Sequence, residues 1–117
     1  MRVRGDEERV VAAFCAWLTE QGWTVTREVD FVDVLAERPG QRLLAEAKGR
    51  TASTGLDVDT MFGQLLRRMG DPDDHTRYAA VVPLNALPAV QRVPGHVRDL
   101  LRIDVFTVDE TGVVQQA

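Results

Sequence analysis

Residues 78–83 read YAAVVP, a nearly continuous apolar run that leaves no alternate position for water. A strand of this kind is covered on both faces, so it belongs at the centre of a sheet, and the rest of the chain must supply its neighbours and its covers. With 117 residues the chain is near the modal size of one domain and can enclose one layered core, which predicts a single domain over 1–117. Hydrophobic residues at 44% and charged residues at 27% exclude a disordered chain and fit a globular one.

The covers are legible as amphipathic helices. Val10, Val11, Phe14, Trp17 and Leu18 lay one apolar stripe along residues 6–21, with Asp6 as N-cap, Glu7 and Glu8 at the positive end of the helix dipole, and Gly22 as the stop. A second stripe, Val58, Met61, Phe62, Leu65 and Met69, follows a capping box Thr54-x-x-Asp57 and closes at Gly70. Its other side shows Thr60, Gln64, Arg67 and Arg68.

Between the helices, Trp23 to Val29 and Phe31 to Glu37 are rich in β-branched and aromatic residues. Arg38-Pro39-Gly40-Gln41 supplies a turn, and Arg42 to Lys48 completes a β-meander. After YAAVVP, the prolines at 88 and 94 and Gly95 divide residues 85–102 into two short helical pieces. Ile103 to Val108 is a strand, and Val113 to Gln115 a short edge strand. The expected order is therefore α-β-β-β-α-β, followed by short helices and strands.

A single cysteine, Cys15, excludes an internal disulfide. The polar start MRVRGDEERV fits neither a signal peptide nor a membrane span, so the expected location is the cytoplasm. The net charge of −4 lacks the basic footprint of an ordinary nucleic-acid binder, although a carboxylate metal site adds negative charge that bound cations offset. Of 14 basic residues only Lys48 is lysine. Where arginine serves everywhere else, a lone lysine invites a chemical reason, because its amine is a compact point charge that can lose a proton.

Strand alternation puts Leu44, Glu46 and Lys48 on one face of the third strand, and places Asp33 with Phe31 and Leu35 on one face of the second. If these strands pair as an antiparallel hairpin, Asp33 approaches Glu46 near the end where they splay; the register is left open. Two such carboxylates repel unless a cation lies between them, and hard oxygen ligands suit Mg²⁺ or Mn²⁺. Lys48 could then orient or deprotonate a water and stabilise charge on a phosphate. The bland reading is an exposed charged pair and a local salt bridge.

Asp33 followed by Glu46-Ala47-Lys48 at a strand end, between a leading and a following helix, resembles the PD-(D/E)xK nuclease superfamily, the restriction-endonuclease-like fold. The resemblance implies a three-layer α/β fold with an αβββαβ core and a mixed central sheet flanked by helices. It implies metal ligation by Asp33, Glu46 and the Ala47 carbonyl, with catalytic roles for Asp33, Glu46, Lys48 and, on the second helix, Gln64. Glu8 or Glu7 would join from the first helix, and Arg67 and Arg68 would meet phosphate, as could Arg50 with Thr51 and Ser53 in the Gly-flanked loop. Two positions depart from the pattern: Val32 stands where proline is usual before Asp33, and Arg68 where one branch has tyrosine.

The function so implied is a Mg²⁺-dependent endonuclease acting on DNA, working as a homodimer or within a larger assembly. The alternative is a non-catalytic interaction module built on the same fold. Asp73, Asp74 and His75 read as a solvated turn, Trp17 and Trp23 as core, and His96 and Cys15 as residues without ligand-spaced partners.

Overall fold

The computed structural model describes residues 4–29, 32–70 and 73–117. Its elements are α1 (Arg4–Glu20), β1 (Thr24–Val29), β2 (Val32–Arg38), β3 (Gln41–Ala47), α2 (Thr54–Arg67), β4 (Thr76–Pro83), a 3₁₀ turn (Leu84–Ala86), α3 (Leu87–Val90), α4 (Gly95–Leu100), β5 (Ile103–Val108) and β6 (Val114–Gln116). The six strands form one sheet in the order β1-β2-β3-β4-β5-β6. β1, β2 and β3 run antiparallel as the meander requires, β3, β4 and β5 are parallel, and β6 returns antiparallel to β5. The YAAVVP segment lies in β4, between two parallel neighbours, and every residue from Tyr78 to Pro83 is buried.

Each face of the sheet has its own helix. On one, Val10, Phe14 and Leu18 of α1 pack against Val34, Ala45, Val81 and Phe106. On the other, Val58, Met61 and Leu65 of α2 pack against Leu44, Ala80, Val82 and Val105. This is the three-layer α/β architecture, and full burial of a side chain such as Phe14 or Met61 contributes about 1.5–3 kcal/mol. Gly22 ends α1 with φ +91° and Gly40 forms the β2–β3 turn with φ +73°, left-handed values that favour glycine.

Two local expectations are corrected. Asp6 is not the N-cap, because α1 already begins at Arg4; its carboxylate instead accepts from Arg9 Nε at 3.1 Å and from the backbone N–H of Arg50. The capping box of α2 does not form. The cap position is Ser53, with no side-chain cap, and the Asp57 carboxylate accepts from the Thr51 hydroxyl instead of serving Thr54. In both cases a carboxylate placed for a helix end is taken by the loop that follows β3, which passes close to both helices.

The β2–β3 register pairs Val34 with Ala45 and Leu35 with Leu44, and pairing stops there. On the other side of β2, Glu28 sits at φ +56°, and the pairs flanking it are Arg27 with Val34 and Val29 with Val32. The sheet therefore opens on both sides of Asp33. Phe31, expected to share its face, lies outside the described residues.

Candidate active site

Continuing the register beyond Val34 and Ala45 brings Asp33 beside Glu46, which settles the pairing that alternation alone left open. The Asp33 carboxylate fills the splay between the strands: its Oδ2 accepts the Ala47 backbone N–H at 2.8 Å. That bond fixes the carboxylate at the end of β3. Glu46, on the α2 face with Leu44, is 1% exposed, and its Oε2 has no hydrogen-bond partner.

Burial of the Glu46 side chain pushes its carboxyl from an ordinary 4.5 up to about 7. The Asp33 charge beside it and a hydrogen bond between the two carboxyl groups act in the same direction, while Arg68 and Lys48 oppose it. Two acids this close favour sharing a proton, and a cation between them would relieve the same repulsion.

Lys48 follows β3 directly. Its backbone N–H donates to Val81 O at 3.0 Å, which extends the β3–β4 ladder, and its half-buried side chain acts on the charge of Glu46. The next residue explains the strand's abrupt end. A Cβ on Gly49 would lie 2.3 Å from the backbone nitrogen of Glu7 and 2.7 Å from its Cα, so the loop runs flush against the first turn of α1, an approach open only to glycine. The Asp6 bond to the Arg50 N–H clamps the same junction.

The expected auxiliary residues separate into two groups. Gln64 and Arg68, one turn apart on α2, are half-buried rather than solvated; the Gln64 carbonyl oxygen is buried without a partner, and Arg68 acts electrostatically on Glu46. Arg67 is exposed on the wall of a neighbouring cleft. Glu8 goes elsewhere: it is ion-paired with Arg27 of β1 at 2.5 Å, which lowers its pKa, because helix rotation points it toward the β1 edge. Glu7 contributes its backbone to the Gly49 contact. Arg50 leans toward Glu110 at 3.4 Å and lines a cleft of about 640 Å³ with Asp6, Arg9 and Asp109, a larger cavity that contains neither Asp33 nor Glu46.

Asp73 forms the expected turn, accepting from the His75 N–H at 2.6 Å and the Thr76 hydroxyl at 2.9 Å. Trp17 packs on Phe106 with ring centroids 5.2 Å apart, and Arg38 stacks on Trp23 at 4.1 Å, so neither indole is an open platform. Arg42 was not singled out from the sequence. It shares the face of Leu44 and Glu46 and lines the cleft with Arg67, and period-two spacing from Glu46 was the signal that pointed to it.

Among the described residues no group of three or more His, Cys, Asp or Glu is gathered at ligand distance. The donors the structure sets side by side are the two carboxylates, Asp33 and Glu46; the Ala47 carbonyl, implied by the resemblance, belongs to the same strand end. Such a set fits Mg²⁺ or Mn²⁺, which retain several waters and take substrate oxygens, and the orphaned Glu46 oxygen supports that fit.

No protein-family model matches the chain, and no curated protein matches it. Solved structures do. An XisH family protein from Nostoc punctiforme PCC 73102 is similar with TM-score 0.64 and 20% identity, over 92% of this chain and 98% of that one. An fdxN element excision controlling factor protein from Anabaena variabilis is similar with TM-score 0.65 and 20% identity, over 93% and 98%. Likeness at this level of identity shows the fold, and it confirms the three-layer α/β arrangement over nearly the whole chain.

Proposed function

We propose that this chain is a divalent-metal-dependent nuclease of the PD-(D/E)xK type, hydrolysing phosphodiester bonds in DNA. The observation that carries the reading is Glu46: a carboxyl at 1% exposure, with one oxygen unpartnered, set beside a second carboxyl and next but one to the chain's only lysine. A buried orphan acceptor costs about 1–3 kcal/mol, a cost that packing does not explain and a ligand would remove.

Asp33, Glu46 and the Ala47 carbonyl would hold Mg²⁺ or Mn²⁺. When bound, the ion supplies Lewis-acid polarisation of a phosphate oxygen and a lowered pKa for water. The remaining work falls to the chain. The Ala47 N–H holds the Asp33 carboxylate at the end of β3. Glu46 would give up its proton to serve as a ligand. Lys48 presents an ammonium beside the carboxylates, where it can orient the attacking water and balance charge building on the phosphate. The Gln64 carbonyl oxygen can accept a hydrogen bond from that water, and Arg68 adds positive charge on the α2 side.

The name of one structural neighbour, an excision controlling factor, suggests for this chain a part in element excision. The cytoplasm is the proposed site of action; no described helix is long and apolar enough to cross a membrane. A homodimer, or a place in a larger assembly, would supply the gripping surface that so small a domain lacks.

The test is cleavage of duplex, single-stranded and branched DNA and of RNA with Mg²⁺ and Mn²⁺, comparing wild type with Lys48→Ala and Asp33→Ala. Losses of about 100-fold or more are expected for each variant. Equal nicking by all three proteins defeats the proposal. The second reading, a non-catalytic module, draws on the presence of two rather than three clustered carboxylates among the described residues. Calorimetry with Mn²⁺ separates them: the nuclease binds the ion and loses it in Glu46→Ala, whereas the module shows no carboxylate-dependent binding.

A further inference from the structure

Beside the carboxylate pair, a cleft of about 390 Å³ opens between the C-terminal end of α2 and strands β2 and β3. Its floor is aliphatic, formed by Val32, Leu35 and Leu44, and its walls carry Arg42, Arg67 and Arg68. Arg42 and Arg67 are exposed, while Leu35, which the α2 cover does not reach fully, is half-buried. Neither Asp33 nor Glu46 lines the cleft, but it adjoins the proposed active site through Arg68, which lines it and acts on the charge of Glu46, and through Leu44 and Arg42, which precede Glu46 by two and four residues on the same face of β3. At about 3.3 Å per residue, Arg42 lies about 13 Å from Glu46 along the strand.

We infer that this cleft is the track for a single strand of nucleic acid leading away from the scissile bond, with Arg42 and Arg67 on its phosphates and Leu35 and Leu44 under its sugars and bases. The inference rests on the nuclease reading for the identity of the substrate. Charge complementarity sets the class of occupant: three guanidinium groups line one small cleft in a chain of net charge −4. Among the described residues the one carboxylate on its wall is Asp73, which is occupied by the His75 N–H and the Thr76 hydroxyl. The aliphatic floor sets the form. A duplex presents phosphates and sugars outward and has no use for an apolar bed, and a cleft of this volume admits one nucleotide-sized unit rather than two paired strands. An unpaired strand exposes base and sugar surface that the floor can take from water.

The experiment is metal-free. Fluorescence anisotropy in EDTA with a labelled single-stranded oligothymidylate, and with a blunt duplex of equal length, compares the wild-type chain with Arg42→Ala/Arg67→Ala. The control is Arg38→Ala/Arg77→Ala, which removes the same charge from residues seated on Trp23 and Asp104. The wild type is expected to bind the single strand more tightly than the duplex. The cleft pair should weaken single-strand binding roughly tenfold and flatten the salt dependence by about 1.4 in logarithmic slope, with the control near wild type. Equal weakening by both pairs, a preference for duplex, or no single-strand binding by the wild type overturns the inference. Because no metal or cleavage enters the measurement, it can fail while the Lys48→Ala comparison succeeds, and the reverse.

Discussion

The two faces of the sheet are covered by helices of similar length, yet they are finished differently. Under α1 the face is packed with aromatic rings: Phe14, Trp17 and Phe106 interlock at centroid separations of 5.0–6.0 Å, Arg77 and Arg9 on its border are paired with Asp104 and Asp6, and clefts open along its borders. Under α2 the core is equally apolar at Met61 and Leu65, but this side keeps a buried carboxyl beside a half-buried one and an unpartnered glutamine oxygen. On the proposed reading, the contrast separates stability from function. One face is organised for packing, and the other leaves polar groups in places where packing would not put them.

The largest effect should come from the aromatic face under α1. Phe14→Ala removes a fully buried ring at the centre of the aromatic cluster and should cost about 3–5 kcal/mol in urea unfolding. Mn²⁺ affinity, scaled to the folded fraction, should stay unchanged. A loss below 1 kcal/mol, or a large change in intrinsic Mn²⁺ affinity, would break the division between the faces.

The next effect belongs to Glu46 and has the opposite sign. Its carboxyl is raised from 4.5 to about 7 in the folded chain, so the folded state holds the proton more tightly than the unfolded state. That contribution is complete below pH 4.5 and is lost as pH rises through 7, a difference of about 3 kcal/mol. Metal-free wild type should therefore be less stable at pH 8 than at pH 5 on account of this group. Glu46→Gln should flatten the dependence and be the more stable protein at pH 8. Saturating Mn²⁺ should restore wild-type stability at pH 8 and leave Glu46→Gln where it was. Identical pH profiles for both proteins would remove Glu46 from the account.

These two residues also show what the chain discloses before folding. The period of Val10, Phe14 and Leu18 states a helical face outright, and YAAVVP states a central strand, because both are local patterns that packing merely completes. Asp33, Glu46 and Lys48 were visible as a constellation by alternation, but their meeting depended on register, and register is a property of two strands. The left-handed Glu28, which accompanies the opening at Asp33, has no local signature. Asp6 and Asp57 carried ordinary helix-start chemistry and were diverted by Arg50 and Thr51, contacts that only the return of the chain creates. Arg42 looked like one arginine among thirteen until Arg67 was brought to the same cleft.

A smaller effect tests the junction between the faces. Gly49→Ala forces a methyl group against the Glu7 backbone, and relieving it must move either the first turn of α1 or the strand end that carries Lys48. The expected cost is about 1–3 kcal/mol with a parallel loss of cleavage. Gly70→Ala has open space around its Cβ and should lie within about 0.5 kcal/mol of wild type. Equal behaviour of the two variants would mean that the Gly49 contact does not position the site.

The finest discrimination is at Gln64. On the α1 face the border residues Arg9 and Arg77 are bonded to Asp6 and Asp104, so replacing either removes a bond. Here the carbonyl oxygen is buried with nothing to accept from, so Gln64→Met, similar in volume and free of that acceptor, should stabilise the metal-free chain by about 1 kcal/mol. Cleavage should fall in the same variant if, as proposed, the oxygen that goes unbonded in the resting chain is the one offered to the attacking water. Opposite signs for thermal midpoint and turnover are what a residue retained for function produces. A lower midpoint with unchanged turnover would instead make Gln64 an ordinary packing residue, and the α2 face would then differ from the α1 face only in its carboxyl pair.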